Sequence, residues 1–583
     1  MDSSATQVVT FQNHHGNTKT NESQQNHPPS NNHGGWRAAI FIIFVEIAER
    51  FTFYGLSGNL ITFITKELNQ STPTAAKNVN TWLGITSFCP FLGAFIADSF
   101  LGRFRTILIS SIIYCMGMAL LAVSVSLVPR RRWYGKAVFF TALFVVSIGE
   151  GGHKPCLQTF AADQFGEETE EEKKAKSSFF NWWYFALVLG ASAATFAVIY
   201  VQDNIGWAAG FEILAGGIGA ALVLFLLGTR RYKKQGPLGS PFTAIAQVFV
   251  AATRKWNLNI VGHNPADHPY FGIYYGDHDH SNILKPRTLP PTNQFRFLDK
   301  ARMIDKIDAS NKIRNPWRLC SINQVEEVKL VLRLIPIWMT CIMLLVVQSL
   351  FNTYFTIQGR TMIRSIGPNF KLPPASLQIF AGFTIILTIP IYDRVFVPLA
   401  RKLTGKPSGI TVLQRIGAGL FMSLVNMVVS ALVEAKRLSV AREHKLVDNP
   451  KAVVVPMKVW WLLPQYVLCG FSDALSFVGI QELFYNEMPE SLRSLGAAAY
   501  VSIAGVANFI SSAIISVVQG LSSNHGHNSW LDDNLNRAHL DYYYWIMAGL
   551  SALNLCAYVW MAKRFVYKKV DQEDGIEEGK TIN

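Results

Sequence analysis

Long apolar stretches alternate with polar breaks along the whole chain. The apolar runs fall at about 36–66, 74–101, 104–127, 134–162, 178–202 and 207–228, and then at about 328–358, 372–402, 408–435, 457–487, 491–521 and 540–566. Between the two sets lies a polar interval, 229–327. A run of ~20 apolar residues crosses the ~30 Å hydrocarbon core of a bilayer, where a helix satisfies its own backbone. The pattern predicts an all-α polytopic membrane protein of twelve transmembrane helices in two six-helix halves, 36–228 and 328–566. A linker at 229–327 joins the halves, and polar tails at 1–35 and 567–583 flank them. The first tail, rich in Asn, Gln, Ser, Thr and His, cannot bury a core and is expected to be disordered.

Composition agrees with this reading. Apolar residues make up 50% of the chain and charged residues 16%, against about a quarter charged in soluble domains. The net charge of +14 belongs to loops that orient membrane helices, not to a nucleic-acid surface. Fifteen Lys and Arg lie between Arg230 and Arg318. They place the linker, and with it both tails, in the cytoplasm. Arg130, Arg131 and Arg132 run against that orientation, as does the Lys436–Lys458 region. Cys89, Cys115, Cys156, Cys320, Cys341, Cys469 and Cys556 show no CxxC spacing and read as small hydrophobes. The polar start of the chain lacks the apolar core of a cleaved signal peptide. His14, His15, His27 and His33, and the Asp277–His280 cluster, read as solvated side chains. Ser240–Trp256 has helical amphipathic spacing, suited to the membrane surface.

The first apolar run carries Glu46, Glu49 and Arg50. Each charge near a bilayer centre costs on the order of 2.5–3.5 kcal/mol, so these three must face a wet cavity or one another. Their i,i+3 and i,i+4 spacings put them on one helix face. Lys154 lies within another apolar run, and the carboxylates of the first helix are its expected partners. A proton arriving on a Glu would break such a pair, which links protonation to conformation. The halves also carry related loops: Gly93–Thr106, GAFIADSFLGRFRT, and Tyr392–Gly409, YDRVFVPLARKLTGKPSG. Each sets an Asp beside basic residues at a helix end, as in an internal repeat.

Gly93, Asp98, Gly102, Arg103 and Arg105 resemble the loop signature of the major facilitator superfamily, which implies a major-facilitator-type fold. Glu46-Ile-Ala-Glu49-Arg50 is similar to the ExxER signature of proton-dependent oligopeptide transporters. Gly149–Phe165, GEGGHKPCLQTFAADQF, and Ser177–Gly190, SSFFNWWYFALVLG, resemble two further signatures, and NPWRLCSINQVEEVK, YDRV and LQRIG follow in the expected order. Taken together the chain resembles the plant nitrate/peptide transporter branch of that family.

The resemblance implies proton coupling at Glu46, Glu49, Arg50 and Lys154, and gating at Asp98, Arg103, Asp393 and Arg394. It implies a substrate cavity to which Tyr54, Asn59, Tyr184, Gln348, Asn352, Asp473 and Gln481 contribute. Asp473 stands where most relatives have Glu on helix ten. Gln348 stands where some nitrate carriers have a His, and cannot become a cation. Val188 replaces a usual Asn and Ala161 a usual Gly. Glu482 and Glu487 are expected to be solvated or structural. Thr106 is a candidate phosphosite for a regulatory kinase, and Asn69-Gln70-Ser71 is a glycosylation sequon.

The function expected is a proton-coupled symporter of small polar or anionic solutes such as nitrate, di/tripeptides or plant metabolites. A proton-independent uniporter of the same fold is the nearest alternative, and hormones and glycosides are alternative cargoes. Protons are the coupling ion and no other cofactor or metal is expected. The chain is expected to work as a monomer in the plasma or vacuolar membrane. No HExxH or GxSxG motif supports an enzyme. The Walker-like text at Gly575–Thr581 is one residue short and has no preceding strand.

Overall fold

The computed structural model describes residues 34–127, 132–166, 169–234, 236–237, 241–257, 292–310, 315–368, 370–404, 410–447, 454–488, 493–523 and 529–566. The N-terminal tail with its histidines, Arg130 and Arg131, the Asp277–His280 cluster and Gly575–Thr581 lie outside these residues.

The first half contains α1 (Trp36–Ser57), α2 (Leu60–Lys66), α3 (Thr72–Ile96), α4 (Arg103–Leu127), α5 (Arg132–Ala162), α6 (Glu170–Ala193), α7 (Ile199–Asn204) and α8 (Trp207–Leu227). The linker holds α9 (Pro241–Arg254) and α10 (Lys306–Ser310). The second half contains α11 (Ile322–Gln348), α12 (Tyr354–Arg360), α13 (Gln378–Ile391), α14 (Val397–Thr404), α15 (Val412–Glu443), α16 (Leu463–Glu487), α17 (Arg493–Ser523) and α18 (Leu540–Arg564). Two small two-stranded sheets accompany it. One pairs β1 (Met362–Ile363) in parallel with β4 (Val455–Lys458), and the other pairs β2 (Ser365–Ile366) antiparallel with β3 (Phe370–Lys371).

Among the described residues, eleven helices are long and apolar enough to cross a membrane. The remaining predicted span is α1, whose 22 residues would reach ~33 Å at 1.5 Å per residue. Its hydropathy is diluted by Arg37, Glu46, Glu49 and Arg50. Apolar side chains such as Phe100, Leu387 and Leu553 cover the outside of the bundle, a surface suited to lipid and not to water.

Local chemistry sets the helix starts. Capping boxes open α6 (Thr169 with Glu172), α11 (Ser321 with Gln324) and α15 (Thr411 with Gln414). Small residues set the helix spacing, as in membrane bundles generally. A Cβ on Gly93 of α3 would sit 2.2 Å from the Gly151 carbonyl oxygen, and one on Gly149 of α5 would sit 2.6 Å from the Tyr114 backbone of α4.

The two related loops form related structures. A π-helical turn at Ala97–Leu101 carries Asp98, and another at Tyr392–Phe396 carries Asp393 and Arg394. Each replaces the end of an α-helix at the corresponding place in its half.

The helix expected at Ser240–Trp256 forms as α9, but its apolar face does not lie on lipid. Val248, Ala251 and Ala252 pack against Leu298, Ala301 and Cys320 of the linker and Val325 and Val328 of α11. Phe242 meets Phe91 and Phe95 of α3. The linker helix therefore touches both halves. Beside it the linker is fastened by ion pairs of Lys255 with Asp308 (2.6 Å), Arg318 with Asp305 (2.6 Å) and Lys329 of α11 with Asp299 (2.8 Å).

Hydrogen bonds join the two halves at the end remote from the linker. Asn80 Nδ2 donates to Ser511 Oγ (3.0 Å), Lys77 Nζ to Gln519 Oε1 (3.2 Å), Arg360 to Thr65 Oγ1 (3.0 Å) and Gln378 Nε2 to the Gly58 carbonyl (3.3 Å). Arg364 of the second half pairs with Asp203 of the first at 3.5 Å.

Candidate functional site

The charged face of α1 is built by helical geometry alone. Arg50 Nε lies 2.7 Å from Glu46 Oε1 and 3.1 Å from Glu49 Oε2. Both carboxylates are buried. Behind them α6 comes very close, because Gly190 has no side chain: a Cβ there would meet the Ile47 carbonyl at 2.5 Å and Arg50 Cβ at 2.9 Å. The single glycine of the Ser177–Gly190 pattern thus packs the fifth span onto the charged turn of the first.

Lys154 differs from expectation. Its ammonium pairs with Glu150 of its own helix at 3.2 Å, not with Glu46 or Glu49, and lies 4.7 Å from the centre of the Phe53 ring of α1. Phe53 is one turn beyond Glu49, so the lysine stands beside the α1 triad with its charge met by Glu150. The i,i+4 spacing of Glu150 and Lys154 within GEGGHKP was the signal for this pair.

In the second half, Gln348 at the end of α11 donates from Nε2 to Asp473 Oδ2 of α16. The other oxygen, Asp473 Oδ1, is buried without a hydrogen-bond partner among the described residues. Of the expected cavity residues, these two are brought together. Asn59 is not with them: it is fully buried and bonded through Nδ2 to Gln202 Oε1 at 3.3 Å, inside the first half. Tyr54 and Gln481 are exposed, and Asn352 is half-buried in the turn after α11. Tyr184 lies on α6, with its side chain outside the described set. Val188 is half-buried and Ala161 fully buried.

The gating residues are partly rearranged from expectation. Arg103 faces Asp98 at 3.6 Å and also bonds Asp163, just beyond α5. Asp163 closes a three-residue clasp that sequence spacing did not reveal. In the second half, Arg394 is exposed and the Asp393 side chain lies outside the described set. The clasp there is Arg415, the arginine of LQRIG. It lies 4.2 Å from the centre of the Tyr392 ring and 3.7 Å from Glu482 Oε2. Glu482, although exposed, thus has an ionic partner, and Glu487 is buried.

Thr106 is placed unfavourably for a kinase. It is buried, and its hydroxyl donates to the Gly102 carbonyl at 3.0 Å. Asn69 of the sequon is exposed, in a left-handed backbone conformation (φ 48°).

The profile described as "PTR2: POT family" matches residues 104–531. The chain is 56% identical over 550 residues to Protein NRT1/PTR FAMILY 5.4 of Arabidopsis thaliana, covering 93% of this chain and 97% of that protein. It is 47% identical to Protein NRT1/PTR FAMILY 5.10 of the same organism, over 92% of this chain and 94% of that protein. The fold is similar to that of the POT family transporter PepTSo (TM-score 0.68, 20% identity, 91% of this chain and 98% of that one). It is also similar to an auto-inhibited POT family peptide transporter (TM-score 0.69, 20% identity, 92% and 99%). This chain is therefore a multi-span membrane transporter of the POT family, within its NRT1/PTR branch, and not an enzyme.

Proposed function

We propose that the protein is a proton-coupled symporter that moves small polar or anionic solutes by alternating access. The observation that carries this reading is the buried α1 turn in which Arg50 sits between Glu46 and Glu49, beside the Lys154–Glu150 pair. Five ionisable side chains at lipid depth, Glu46, Glu49, Arg50, Glu150 and Lys154, are costly there and in such numbers mark a proton or ion path. A proton on Glu49 weakens its hold on Arg50, and the freed cation can turn toward Lys154's carboxylate partner or an anionic solute. Protons are the coupling ion, and no other cofactor is required.

The bonded seam supports alternating access. The halves are joined at the end remote from the linker, while Arg103 with Asp98 and Asp163, and Arg415 with Glu482, are clasps within single halves at the linker end. With the linker cytoplasmic, this is an inward-facing arrangement. Gln348 and Asp473 supply the polar contacts of the second half. An amide and a carboxylate favour a solute that carries hydrogen-bond donors as well as any negative charge. The membrane is the plasma membrane or the vacuolar membrane, and the single chain is a complete transport unit.

The test is uptake into proteoliposomes under an imposed pH gradient, screened over nitrate, dipeptides, acidic hormones and glycosides. A symporter accumulates its solute only when the gradient is present. Glu49→Gln and Lys154→Ala are expected to abolish accumulation while leaving solute exchange measurable. Equal accumulation with and without the gradient would establish a uniporter instead.

A further inference from the structure

Around Glu150 the protein gathers buried polar atoms that the α1 triad does not account for. Glu150, Glu49, His153 and Tyr114 are each at most 1% exposed. Glu150 Oε2, Glu49 Oε1, both His153 ring nitrogens and the Tyr114 hydroxyl have no hydrogen-bond partner among the described residues, and Glu49 Oε2 has only its 3.1 Å ion pair with Arg50. Buried polar groups of this kind are normally satisfied, and a polar pocket with several free donors and acceptors is a natural place for bound water.

The helices bring these groups to one place. Gly149 presses α5 onto the Tyr114 backbone, Gly152 presses it onto Ser110, and Gly151 presses it onto Cys89 of α3. The Tyr114 and His153 rings lie edge to face with centres 6.4 Å apart. The charged and titratable groups facing Glu150 are Lys154 on its own helix, Glu49 and Arg50 on α1, Tyr114 on α4 and Cys89 on α3, while His153 faces Glu49, Arg50 and the Tyr114 ring. The cluster lies within the first bundle, away from the Gln348–Asp473 pair.

We infer that Glu150 is a second proton-binding carboxylate, set in series with Glu49 and hydrated through His153 and Tyr114. This rests on the proton-coupled reading above and extends it. With Glu150 ionised, Lys154 is held on its own helix, as the 3.2 Å pair shows. A proton taken from the aqueous phase forms an O–H bond on Glu150 and neutralises it. Lys154 keeps its own proton, loses its partner and is drawn to the carboxylates of the α1 triad, Glu46 and Glu49. Loss of the Glu150 proton to the opposite aqueous phase restores the starting pair. Only O–H bonds form and break.

The experiment is infrared difference spectroscopy of the full chain in nanodiscs across a pH series, read at the C=O stretch of protonated buried carboxyls. A band present in the wild type and missing from Glu150→Gln is expected. His153→Gln, which disturbs only the surroundings, is expected to shift that band, and it keeps the test decisive if Glu150→Gln does not fold. Absence of any such band at all, or a band untouched by both variants, overturns the inference. In parallel, the pH profile of gradient-driven nitrate uptake is expected to shift in Glu150→Gln, because Lys154 has then lost the carboxylate it holds at 3.2 Å. An unchanged pH profile in a variant that accumulates nitrate also overturns it. Full nitrate accumulation by Glu49→Gln would instead sink the proton-coupled reading, while the Glu150 band would still be present.

Discussion

Among the described residues Arg437 is the largest fully buried side chain, and it is fully bonded. Its guanidinium pairs with Glu434 one turn earlier at 2.6 Å and donates to Asn536 Oδ1 (2.6 Å) and the Leu535 carbonyl (2.7 Å). Glu434 in turn accepts from Gln358 Nε2 at 2.6 Å. Removing one member of a buried pair strands the other charge, at a cost of about 3–5 kcal/mol. Arg437→Leu is therefore expected to lower the melting temperature of the detergent-solubilised protein sharply. The double variant Glu434→Gln/Arg437→Met is expected to recover most of that loss, because it strands no charge. Equal melting of both variants would contradict this account. The same residue shows where reading a sequence stops. Arg437 counted as a basic loop residue against the assigned orientation, because the chain shows its charge and not its partner. Glu46, Glu49 and Arg50 were legible because charges inside an apolar run need a reason. Asp163 and Arg415 were not singled out, because helix ends are ordinarily charged and only the packing of separate helices turns these two into clasps.

Individual helices were legible wherever hydrophobicity alone determines them. The spans from α3 onward follow from runs of apolar residues, and α9 follows from its amphipathic period. What covers an amphipathic face is not encoded in that period: lipid and a neighbouring helix look alike to it, and α9 is covered by protein. The π-helical turns at Ala97–Leu101 and Tyr392–Phe396 were equally hidden, although their loops were recognised as related. Extra residues in a turn of this kind commonly mark functional places in helices, and here each turn carries one member of its clasp, Asp98 or Tyr392. Helix spacing gives a sharper test. Gly93 lets α3 lie directly on the Gly151–Gly152 backbone of α5. Gly93→Ala forces two main chains apart and is expected to cost about 1–3 kcal/mol or more, seen as lower recovery of monodisperse protein after heating. Gly216→Ala on α8, where a methyl group would meet nothing within 4 Å, is expected to leave that recovery unchanged. Similar losses in both would mean that close α3–α5 contact is not what the glycine provides.

For the molecule as a whole, the decisive feature is that the halves hold each other at one end. If transport requires this seam to open, fixing it must stop turnover without unfolding either bundle. Asn80 and Ser511 are suited to the purpose, since their side chains touch at 3.0 Å and both are buried within the α3–α17 contact. Asn80→Cys/Ser511→Cys is expected to form a disulfide on oxidation and to lose solute accumulation, and to regain it on reduction. Each single variant should be insensitive to oxidant, because no native cysteine is placed to form a disulfide in this arrangement. Weakening the same seam should act in the opposite direction. Asp203→Asn removes the partner that Arg364 finds across it and also the partner of Lys66 (3.2 Å), so it should raise the share of molecules open at this end. That share is measurable as faster labelling of a cysteine placed at Ser511. A cross-linked double variant that still accumulated solute would show that the halves do not separate here, and alternating access about this seam would have to be abandoned. Loss of accumulation that reduction restores, together with faster labelling in Asp203→Asn, would mean that the bonds seen between the halves are the ones broken in each transport cycle.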